Sequence, residues 1–236
     1  MISLVFPTYN EAENIGKTIS AIRALNIPDL EIIVCDDHSP DGTAEAAEKA
    51  DPETKVLLHE GPRGLSASVV YGFERAKGDL LICMDADGQH RPEDLPAVIQ
   101  DALACGFAVG SRFVTGGGFQ EHWSAFRLFV SRASALLAKI FLGTKLHDPM
   151  SGFFAVKKEI FRSTLPYLNQ GGFKIMLEMA SIATALDQDL KIRETPIRFA
   201  LRHAGESKTS ARIAFQYLVM LFACRKVRKK LLKENR

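Results

Sequence analysis

The stretch "LLICMDADGQHRPEDL", residues 80–95, decides how the rest of the chain is interpreted. It begins with an apolar run, Leu80–Met84, of the kind that forms a buried strand. Asp85, Asp87 and Gln89 then occupy every second position. Because residues two apart on an extended chain share a face, two carboxylates and an amide are predicted to converge at the end of a core strand.

A set of hard oxygen donors in this arrangement predicts a divalent-metal site. Mg²⁺ and Mn²⁺ bind proteins through one or two carboxylates and complete their shell with substrate phosphates. We therefore predict that Asp85, Asp87 and Gln89 hold Mg²⁺ or Mn²⁺. The alternative is an acidic turn that only caps the next helix, a role that Glu93 and Asp94 can fill without explaining carboxylates at the strand end.

Strands and helices alternate from residue 2 to residue 112, which predicts an α/β fold with a mostly parallel sheet flanked by helices. Strands are predicted at 2–6, 30–35, 55–59, 79–84 and 107–112, and helices at 11–25, with Asn10 as N-cap, after "DDHSPDGT", near 66–77 and at 92–105. Further helices are predicted at 122–143, 158–166 and 172–186, with strands at 153–157 and 189–201.

Polar clusters fall at the carboxyl ends of four of these strands, where parallel sheets bind ligands. They are "PTYNE", "DDHSPDG", "DADGQH" and "SR". Convergence of four clusters on one edge is a stronger signal than any single motif. Asp37 is placed to hydrogen-bond a ribose or a base edge, while Asp36 is predicted to face inward.

Composition and charge narrow the class of protein. The chain has 236 residues, is 47% hydrophobic and carries a net charge of +2, which gives no general basis for nucleic-acid binding. The tail 225–236 holds seven basic residues and one acidic residue, which suggests an anionic surface as partner, although charge alone favours a solvated, frayed terminus.

Four cysteines without C-x-x-C spacing predict small core residues of a reduced, cytosolic protein rather than a zinc site. The start shows no signal-peptide pattern, and no window has the ~18 uninterrupted apolar residues of a spanning helix.

Several motifs together resemble one family. "FPTYNEAENI", "DDHSPDGT", "MDADGQH", "GSRFVTGGG", "DPMSGFF" and "HAGESK" are similar to the polyprenol-phosphate (dolichol-phosphate) mannose synthases, which belong to glycosyltransferase family 2 and have the GT-A fold. The resemblance runs from residue 3 to about 210. It implies a GT-A catalytic domain over 1–208, with 122–143 as an amphipathic acceptor and membrane helix, followed by an amphipathic basic helix at 209–236.

The resemblance also implies a reaction and its site. Mannose would pass from GDP-mannose to a polyprenyl or dolichyl phosphate with inversion. The donor residues implied are Pro7, Tyr9, Glu11, Cys35, Asp37, Asp85, Ala86, Asp87, Arg112, Arg202 and Lys208. The acceptor residues are Arg127, Ser131 and Arg132; the metal ligands are Asp87, Gln89 and Asp85; and Asp87 and Arg112 would act in catalysis.

The chemistry of the acceptor fits this interpretation. A polyprenyl phosphate is already an anion at pH 7, so the reaction needs no general base. It needs fixed cations that let two phosphates approach each other, and arginine is well suited to that task. Because such an acceptor sits in a bilayer, we expect the enzyme on the cytoplasmic face of a membrane, with a membrane-protein partner left open.

Three alternatives remain. The first is the same lipid acceptor with another sugar nucleotide, such as UDP-glucose, since no residue chemistry here distinguishes the sugar. The second is a non-catalytic nucleotide-sugar binding module, against which the intact Asp85, Asp87 and Gln89 count. The third is a nucleotidyltransferase, which the absence of a Gly-rich loop with Arg and Lys after the first strand disfavours. His38 stands where the family often has Gly or Asp, and Cys35 where it often has Val.

Overall fold

The computed structural model describes residues 1–120, 125–169, 171–200 and 211–234, without the side chains of residues 126, 127 and 211–213. Its first half confirms the predicted alternation. The strands are Ile2–Thr8 (β1), Leu30–Asp36 (β2), Lys55–Leu58 (β3), Leu80–Cys83 (β4) and Phe107–Ser111 (β5). The helices are Ala12–Arg23 (α1), Thr43–Ala50 (α2), Leu65–Arg75 (α3) and Leu95–Cys105 (α4).

The second half is less regular. Its strands are Gly118–Phe119 (β6), Phe154–Lys157 (β7), Arg193–Pro196 (β8) and Arg198–Phe199 (β9), and its helices are Ala125–Leu142 (α5), Lys158–Thr164 (α6), Ile175–Leu186 (α7) and Ala211–Glu234 (α8). The single strand predicted at 189–201 is wrong, because β8 and β9 belong to different sheets. Pro196, which has no N–H to continue a ladder, ends β8.

The main sheet has the strand order β3-β2-β1-β4-β7-β5-β8. β1 to β4 pair in parallel, whereas β7 lies antiparallel between β4 and β5. The mostly parallel sheet is therefore confirmed, but the sequence pattern did not reveal that the α4 crossover skips one position and leaves it for β7. All five strand ends β1, β2, β4, β5 and β8 still reach one edge of the sheet.

Helices cover both faces of this sheet and bury two apolar cores. One core joins α1 and α4 to the sheet through side chains such as Ile15, Ile19 and Val98. The other joins α3 and α7 through Phe73 and Met179, among others. These cores fix the strands that carry the polar clusters.

Helix α8 packs against α5 and α7 along one side. Tyr217, Leu221 and Cys224 of α8 join Ala138 of α5 and Leu177 of α7 in a third apolar cluster. Within the described ranges, no helix combines the length and the apolar character that crossing a membrane requires.

Candidate active site

The loop after β2 holds the start of α1 in place. The backbone N–H groups of Asn10, Glu11 and Ala12 donate to Ser39 Oγ, Thr43 Oγ1 and Asp41 Oδ2, at 2.9, 2.9 and 3.0 Å. The prediction that Asn10 caps α1 is therefore wrong: Asn10 has a φ of 61°, and the orphan donors of the helix are met by the neighbouring loop. This contact joins "PTYNE" to "DDHSPDGT" in one edge of the site.

The two aspartates at the end of β2 have separate roles. Asp36 is 1% exposed and accepts hydrogen bonds from Thr8 Oγ1 at 2.9 Å and from the Ser39 N–H at 2.7 Å, so the prediction that it faces inward is confirmed. His38, two residues after Asp36, has a φ of 58°, which lies in the left-handed region. That conformation explains why glycine suits this position.

Asp37 is also buried, and three donors surround it. His59 Nδ1 lies 2.7 Å and Ser68 Oγ 2.8 Å from Asp37 Oδ1, while the Gly64 N–H donates to Oδ2 at 3.2 Å. His59 packs edge-on against Tyr71. The carboxylate predicted to meet a ribose or base is thus held rigidly between the ends of β2 and β3 and the start of α3.

The other residues predicted for the nucleoside lie beside Asp37. Pro7 and Cys35 are register partners in β1 and β2, and both are buried. Burial raises the pKa of the Cys35 thiol to about 12, so the side chain stays uncharged. Tyr9 stacks under the Arg63 guanidinium, 4.3 Å from the ring centre. Glu11 accepts a hydrogen bond from Asn14 Nδ2 at 3.2 Å.

The acidic cluster after β4 is not an extended strand. β4 ends at Cys83, and the chain bends at residues 86–88, so the expectation that strand alternation aligns Asp85 and Asp87 is wrong. Asp85 Oδ2 lies 3.3 Å from His90 Nε2, whereas Asp87 Oδ1 accepts the Gln89 N–H at 3.1 Å. The bend places these groups by turn geometry instead.

The donor set nevertheless fits a divalent cation. Asp85, Asp87 and Gln89 offer hard oxygen donors beside one another in the chain and are only partly buried. Gln89 Nε2 donates to the Ala200 carbonyl at 3.3 Å, which leaves its own amide oxygen for a ligand. The described residues form no cage of three or more His, Cys, Asp or Glu side chains. A site with few protein ligands is the kind that Mg²⁺ uses when substrate phosphates supply the rest.

At the end of β5, Arg112 is locked to an aspartate. Its Nε and Nη2 donate to the two oxygens of Asp148 at 2.7 Å each, and its backbone N–H donates to Oδ2 at 3.0 Å. Asp148 is fully buried and the Arg112 side chain is 8% exposed. The guanidinium also lies 4.9 Å from the ring centre of Phe199. Arg112 is therefore a fixed cation rather than a mobile surface charge.

A second cation, Lys174, enters the site from the start of α7. Its Nζ donates to the Met150 carbonyl at 3.3 Å. Burial lowers the pKa of this ammonium; Asp85 acts in the opposite sense, Arg112 lowers the pKa further, and Asp148 raises it. Lys174 also lines a small cavity of about 60 Å³ together with Asp85 and Gly152. It thus joins the β4 and β5 ends of the site.

The residues predicted for the acceptor are only partly described. Ser131 on α5 is buried, and its Oγ has no hydrogen-bond partner among the described residues, whereas Arg132 is exposed. The side chain of Arg127 and the whole of Arg202 and Lys208 lie outside the described residues. Ala86, between the two aspartates, is buried at 2% exposure.

Four residues of this site were missed by sequence reasoning: His59, His90, Asp148 and Lys174. His90 was visible as the last letter of "DADGQH", and Asp148 as the first of "DPMSGFF". No local signal marked His59 or Lys174, since each acts on a partner from a distant segment.

Comparison with known proteins identifies the family of the chain. A model of the family described as glycosyl transferase family 2 matches residues 3–165. The chain is 39% identical to the dolichol-phosphate mannosyltransferase of Pyrococcus furiosus over 92% of its own length and 61% of that protein. It is 35% identical to the dolichol-phosphate mannosyltransferase of Saccharomyces cerevisiae, covering 93% of this chain and 85% of that one. It is 34% identical to the undecaprenyl-phosphate mannosyltransferase of Micrococcus luteus, over 91% and 90% of the two chains.

The fold is shared with solved structures. Glucosyl-3-phosphoglycerate synthase from Mycobacterium tuberculosis, in complex with Mn²⁺, UDP-glucose and phosphoglyceric acid, superposes with a TM-score of 0.70. The match covers 96% of this chain and 80% of the other, at 22% identity. At that identity the likeness concerns the fold, which has the sheet and the flanking helices described above.

Proposed function

Because the chain belongs to glycosyl transferase family 2, and within it to the dolichol- and polyprenol-phosphate mannosyltransferases, we propose that it transfers mannose from GDP-mannose to a polyprenyl phosphate. The observation that supports this most is the row of groups along one sheet edge. A carboxylate suited to a nucleoside at β2, oxygen donors suited to a cation at β4, and two fixed cations at β5 and α7 follow each other in the order base, metal, phosphate.

In the proposed reaction, an oxygen of the acceptor phosphate attacks the anomeric carbon of mannose. The bond from that carbon to the β-phosphate oxygen of GDP breaks with inversion, and GDP leaves. Since the acceptor is already an anion, no side chain needs to remove a proton. Arg112 and Lys174 offset the repulsion between the two phosphates and, being held by Asp148 and Met150, need little reorganisation to do so.

A divalent cation at Asp87, Gln89 and Asp85 would stabilise the leaving diphosphate as a Lewis acid. The solved Mycobacterium tuberculosis synthase with Mn²⁺ and UDP-glucose is one GT-A enzyme that binds such an ion. On this proposal the guanosine lies along Pro7, Tyr9, Glu11, Cys35 and Asp37, and Arg202 and Lys208 complete the diphosphate site.

The test is a panel of radiolabelled sugar nucleotides offered with one polyprenyl phosphate, with and without EDTA. We expect transfer from GDP-mannose that EDTA abolishes and Mn²⁺ or Mg²⁺ restores. Transfer from UDP-glucose instead would support the same acceptor with a different donor. Binding of GDP-mannose without transfer would contradict the enzyme and support a binding module.

We further propose that α5 and α8 together form the surface that rests on the membrane. Both helices expose large apolar side chains; these are Phe129, Leu136 and Ile140 on α5, and Phe215, Leu218, Val219 and Phe222 on α8, exposed by between 37% and 68%. The helices pack side by side, since Tyr217 Oη donates to the Ser134 carbonyl at 2.9 Å and the rings of Phe141 and Phe222 are 4.7 Å apart. Their exposed apolar groups therefore form one surface.

Charge favours a lipid surface as the partner of these helices. Helical periodicity places Phe215, Val219 and Phe222 on one stripe of α8 and continues that stripe with Lys226 and Lys229, which are exposed. An apolar stripe that runs into cations is the pattern of a helix lying in a membrane interface. Each basic residue near anionic lipid contributes about 1 kcal/mol. We infer a peripheral position on the cytoplasmic leaflet.

Flotation with anionic vesicles tests this surface. We expect the double variant Phe215→Ser and Phe222→Ser to lose vesicle binding at low salt, and high salt to release the unchanged chain. The matched control is Leu58→Ser with Leu103→Ser, two leucines elsewhere on the surface that are 51% and 55% exposed. Equal loss in both double variants, or an unchanged chain that does not bind, would contradict the proposal. A shift to dimers on neutral vesicles would point to a second copy on this face.

A further inference from the structure

We propose that Glu194 is a positioning residue of the reaction, which acts through the turn at residues 147–152 to hold Arg112, Lys174 and Asp85 in their relative places. The inference rests on the proposed function only for the role of those three groups. The contacts between Glu194 and the turn do not depend on that function.

The first link is the ion pair between the turn and Arg112. Asp148 binds the guanidinium through both oxygens and the backbone N–H of Arg112 through one of them. A carboxylate and a guanidinium removed from water in this way need near-ideal geometry, because the desolvation cost of each charge is large. The position of Asp148 therefore helps to define the orientation of Arg112.

The second link fixes Asp148 itself. Glu194, on β8, accepts the Asp148 N–H at 2.9 Å and the His147 N–H at 2.8 Å, and its Oε2 lies 2.7 Å from His147 Nδ1. The Glu194 side chain is 9% exposed. Glu194 is also the register partner of Val109 in β5, the strand that leads to Arg112. Strand β8 thus positions both ends of the ion pair, Asp148 through Glu194 and Arg112 through the pairing of β8 with β5.

The third link carries the position of the turn to the other groups. The Met150 carbonyl accepts the Lys174 ammonium at 3.3 Å. A Cβ built at Gly152 would meet both carboxylate oxygens of Asp85 at 3.0 Å or less, so the turn passes directly against Asp85 and only glycine fits there. One short turn therefore contacts a cation from β5, a cation from α7 and a carboxylate from the β4 end.

This arrangement separates positioning from ligand binding. Glu194→Gln keeps every group that we place on the phosphates and changes only the acceptor that holds the turn. A glutamine has one acceptor oxygen and an NH₂ group that donates, so at least one of the donors at residues 147 and 148 loses its partner. We expect the guanidinium of Arg112 to become less confined as a result.

A purely structural role for Glu194, as an anchor of β8, predicts something different. Asp101 of α4 bonds the residues on either side of Glu194: Arg193 Nη1 donates to it at 2.8 Å and Thr195 Oγ1 at 2.7 Å. Asp101→Asn therefore loosens the same strand without touching the turn. It is the matched control.

The first measurement is the exchange of the Arg112 Nε–H with water, followed by NMR in the full chain without ligands and assigned by its loss in Arg112→Lys. We expect Glu194→Gln to speed this exchange about fivefold, the effect of one lost hydrogen bond, and Asp101→Asn to leave it within twofold. The second measurement is steady-state transfer, in which Glu194→Gln should lower kcat about tenfold while the KM for GDP-mannose changes less than twofold. Glu194→Asp keeps both carboxylate oxygens on a shorter side chain. Its exchange rate and kcat should lie between those of the unchanged chain and of Glu194→Gln, and it serves as the test if Glu194→Gln does not fold.

Unchanged Arg112 exchange in the Glu194 variants, or equal changes in Asp101→Asn, would overturn the proposal. If the exchange responds as expected while the unchanged chain transfers no mannose, the positioning holds and the proposed function fails. If transfer is present but the KM for GDP-mannose alone responds, Glu194 acts on binding and the proposal is wrong.

Discussion

Asp37 at the β2 end of the site and Asp148 at the β5 end are both buried aspartates, yet their partners differ in kind. Asp37 is held by a histidine ring, a hydroxyl and a backbone amide. Asp148 has both oxygens on one arginine. The comparison teaches that burial does not tell what a carboxylate is for: on our proposal Asp37 is presented to a ligand, whereas the charge of Asp148 is matched within the protein and serves to place Arg112.

The largest expected effect is on the free energy of unfolding, and it concerns Asp148. Asp148→Ala leaves the Arg112 charge buried without its partner, so we expect the free energy of unfolding to fall by about 3–5 kcal/mol in a denaturant titration. The control Asp101→Ala removes an ion pair with the exposed Arg193 and a hydrogen bond from Thr195, and it should destabilise the chain much less. Losses of the same size in both variants would show that the buried pair is not special.

For Asp87, a partly buried carboxylate, we expect the opposite pattern: its loss should lower activity and leave stability unchanged. Because it is proposed to meet a cation and not to hold the fold, Asp87→Ala should lower kcat/KM in Mn²⁺ at least about a hundredfold. The control is Glu93→Ala, six residues further on and paired with Arg91 at the surface. The melting temperature should match the unchanged chain in both variants. Full activity of Asp87→Ala, or of the unchanged chain in EDTA, would contradict the metal site.

Glu178 adds a carboxylate of a third kind to the comparison. It lies on α7 one turn after Lys174, is 3% exposed, and accepts the Asn169 N–H at 3.1 Å. Burial raises its pKa from 4.5 to about 7, and that hydrogen bond acts in the opposite sense. A raised pKa in the folded state means that the folded chain binds more protons than the unfolded chain between these values. The stability that Glu178 contributes is therefore present below pH 4.5 and is lost as the pH rises through 7.

The size of that loss is on the order of 3 kcal/mol. We expect Glu178→Gln to flatten the decline in unfolding free energy between pH 5 and pH 8, as measured by denaturant titrations at each pH. Glu159→Gln, at an exposed carboxylate on α6, is the control and should leave the decline unchanged. A decline that persists in Glu178→Gln would assign it to another group.

The smallest effect sharpens the account of Asp37. Ser68→Ala removes one of its three donors, and a single hydrogen bond is worth about 1 kcal/mol, so the affinity for GDP should fall about fivefold in calorimetry. Ser66 offers a close control, since it lies on the same helix, is fully buried, and its hydroxyl has no partner among the described residues. Ser66→Ala should leave GDP affinity unchanged. Equal losses of GDP affinity in both variants would mean that GDP binding by Asp37 does not depend on the Ser68 hydrogen bond.

The two aspartates of the β2 end could be placed from sequence because they belong to one compact motif, whereas His59, which holds Asp37, could not. Asp36 and Asp37 follow an apolar run directly, and strand periodicity alone places them at the sheet edge. The β5 end could not, because Arg112 meets Asp148, which is held by Glu194, and those contacts span 36 and 46 residues. No pattern in a single segment encodes a pairing between segments.

Predictions from local sequence patterns were also wrong where tertiary structure overrode the local preference. Asn10 is a favourable N-cap in isolation, but Ser39, Asp41 and Thr43 reach the same N–H groups first. Likewise, the alternation of Asp85 and Asp87 has the period of a strand, but the chain leaves the sheet at Cys83. Helix α8 was predicted as amphipathic; that it also buries Tyr217 and Leu221 against α5 and α7 depended on tertiary packing.

The position of β7 has a consequence for how the chain folds during synthesis. β7 fills the space between β4 and β5, so the first 112 residues can form strands but leave an unpaired sheet edge at β4. Phe154 and Val156 of β7 also belong to the core that α3 and α7 share. Since a chain leaves the ribosome from its N-terminus, this edge stays open until residue 157 emerges. A nascent chain halted before that point exposes apolar strand, and it is the intermediate that a chaperone would bind.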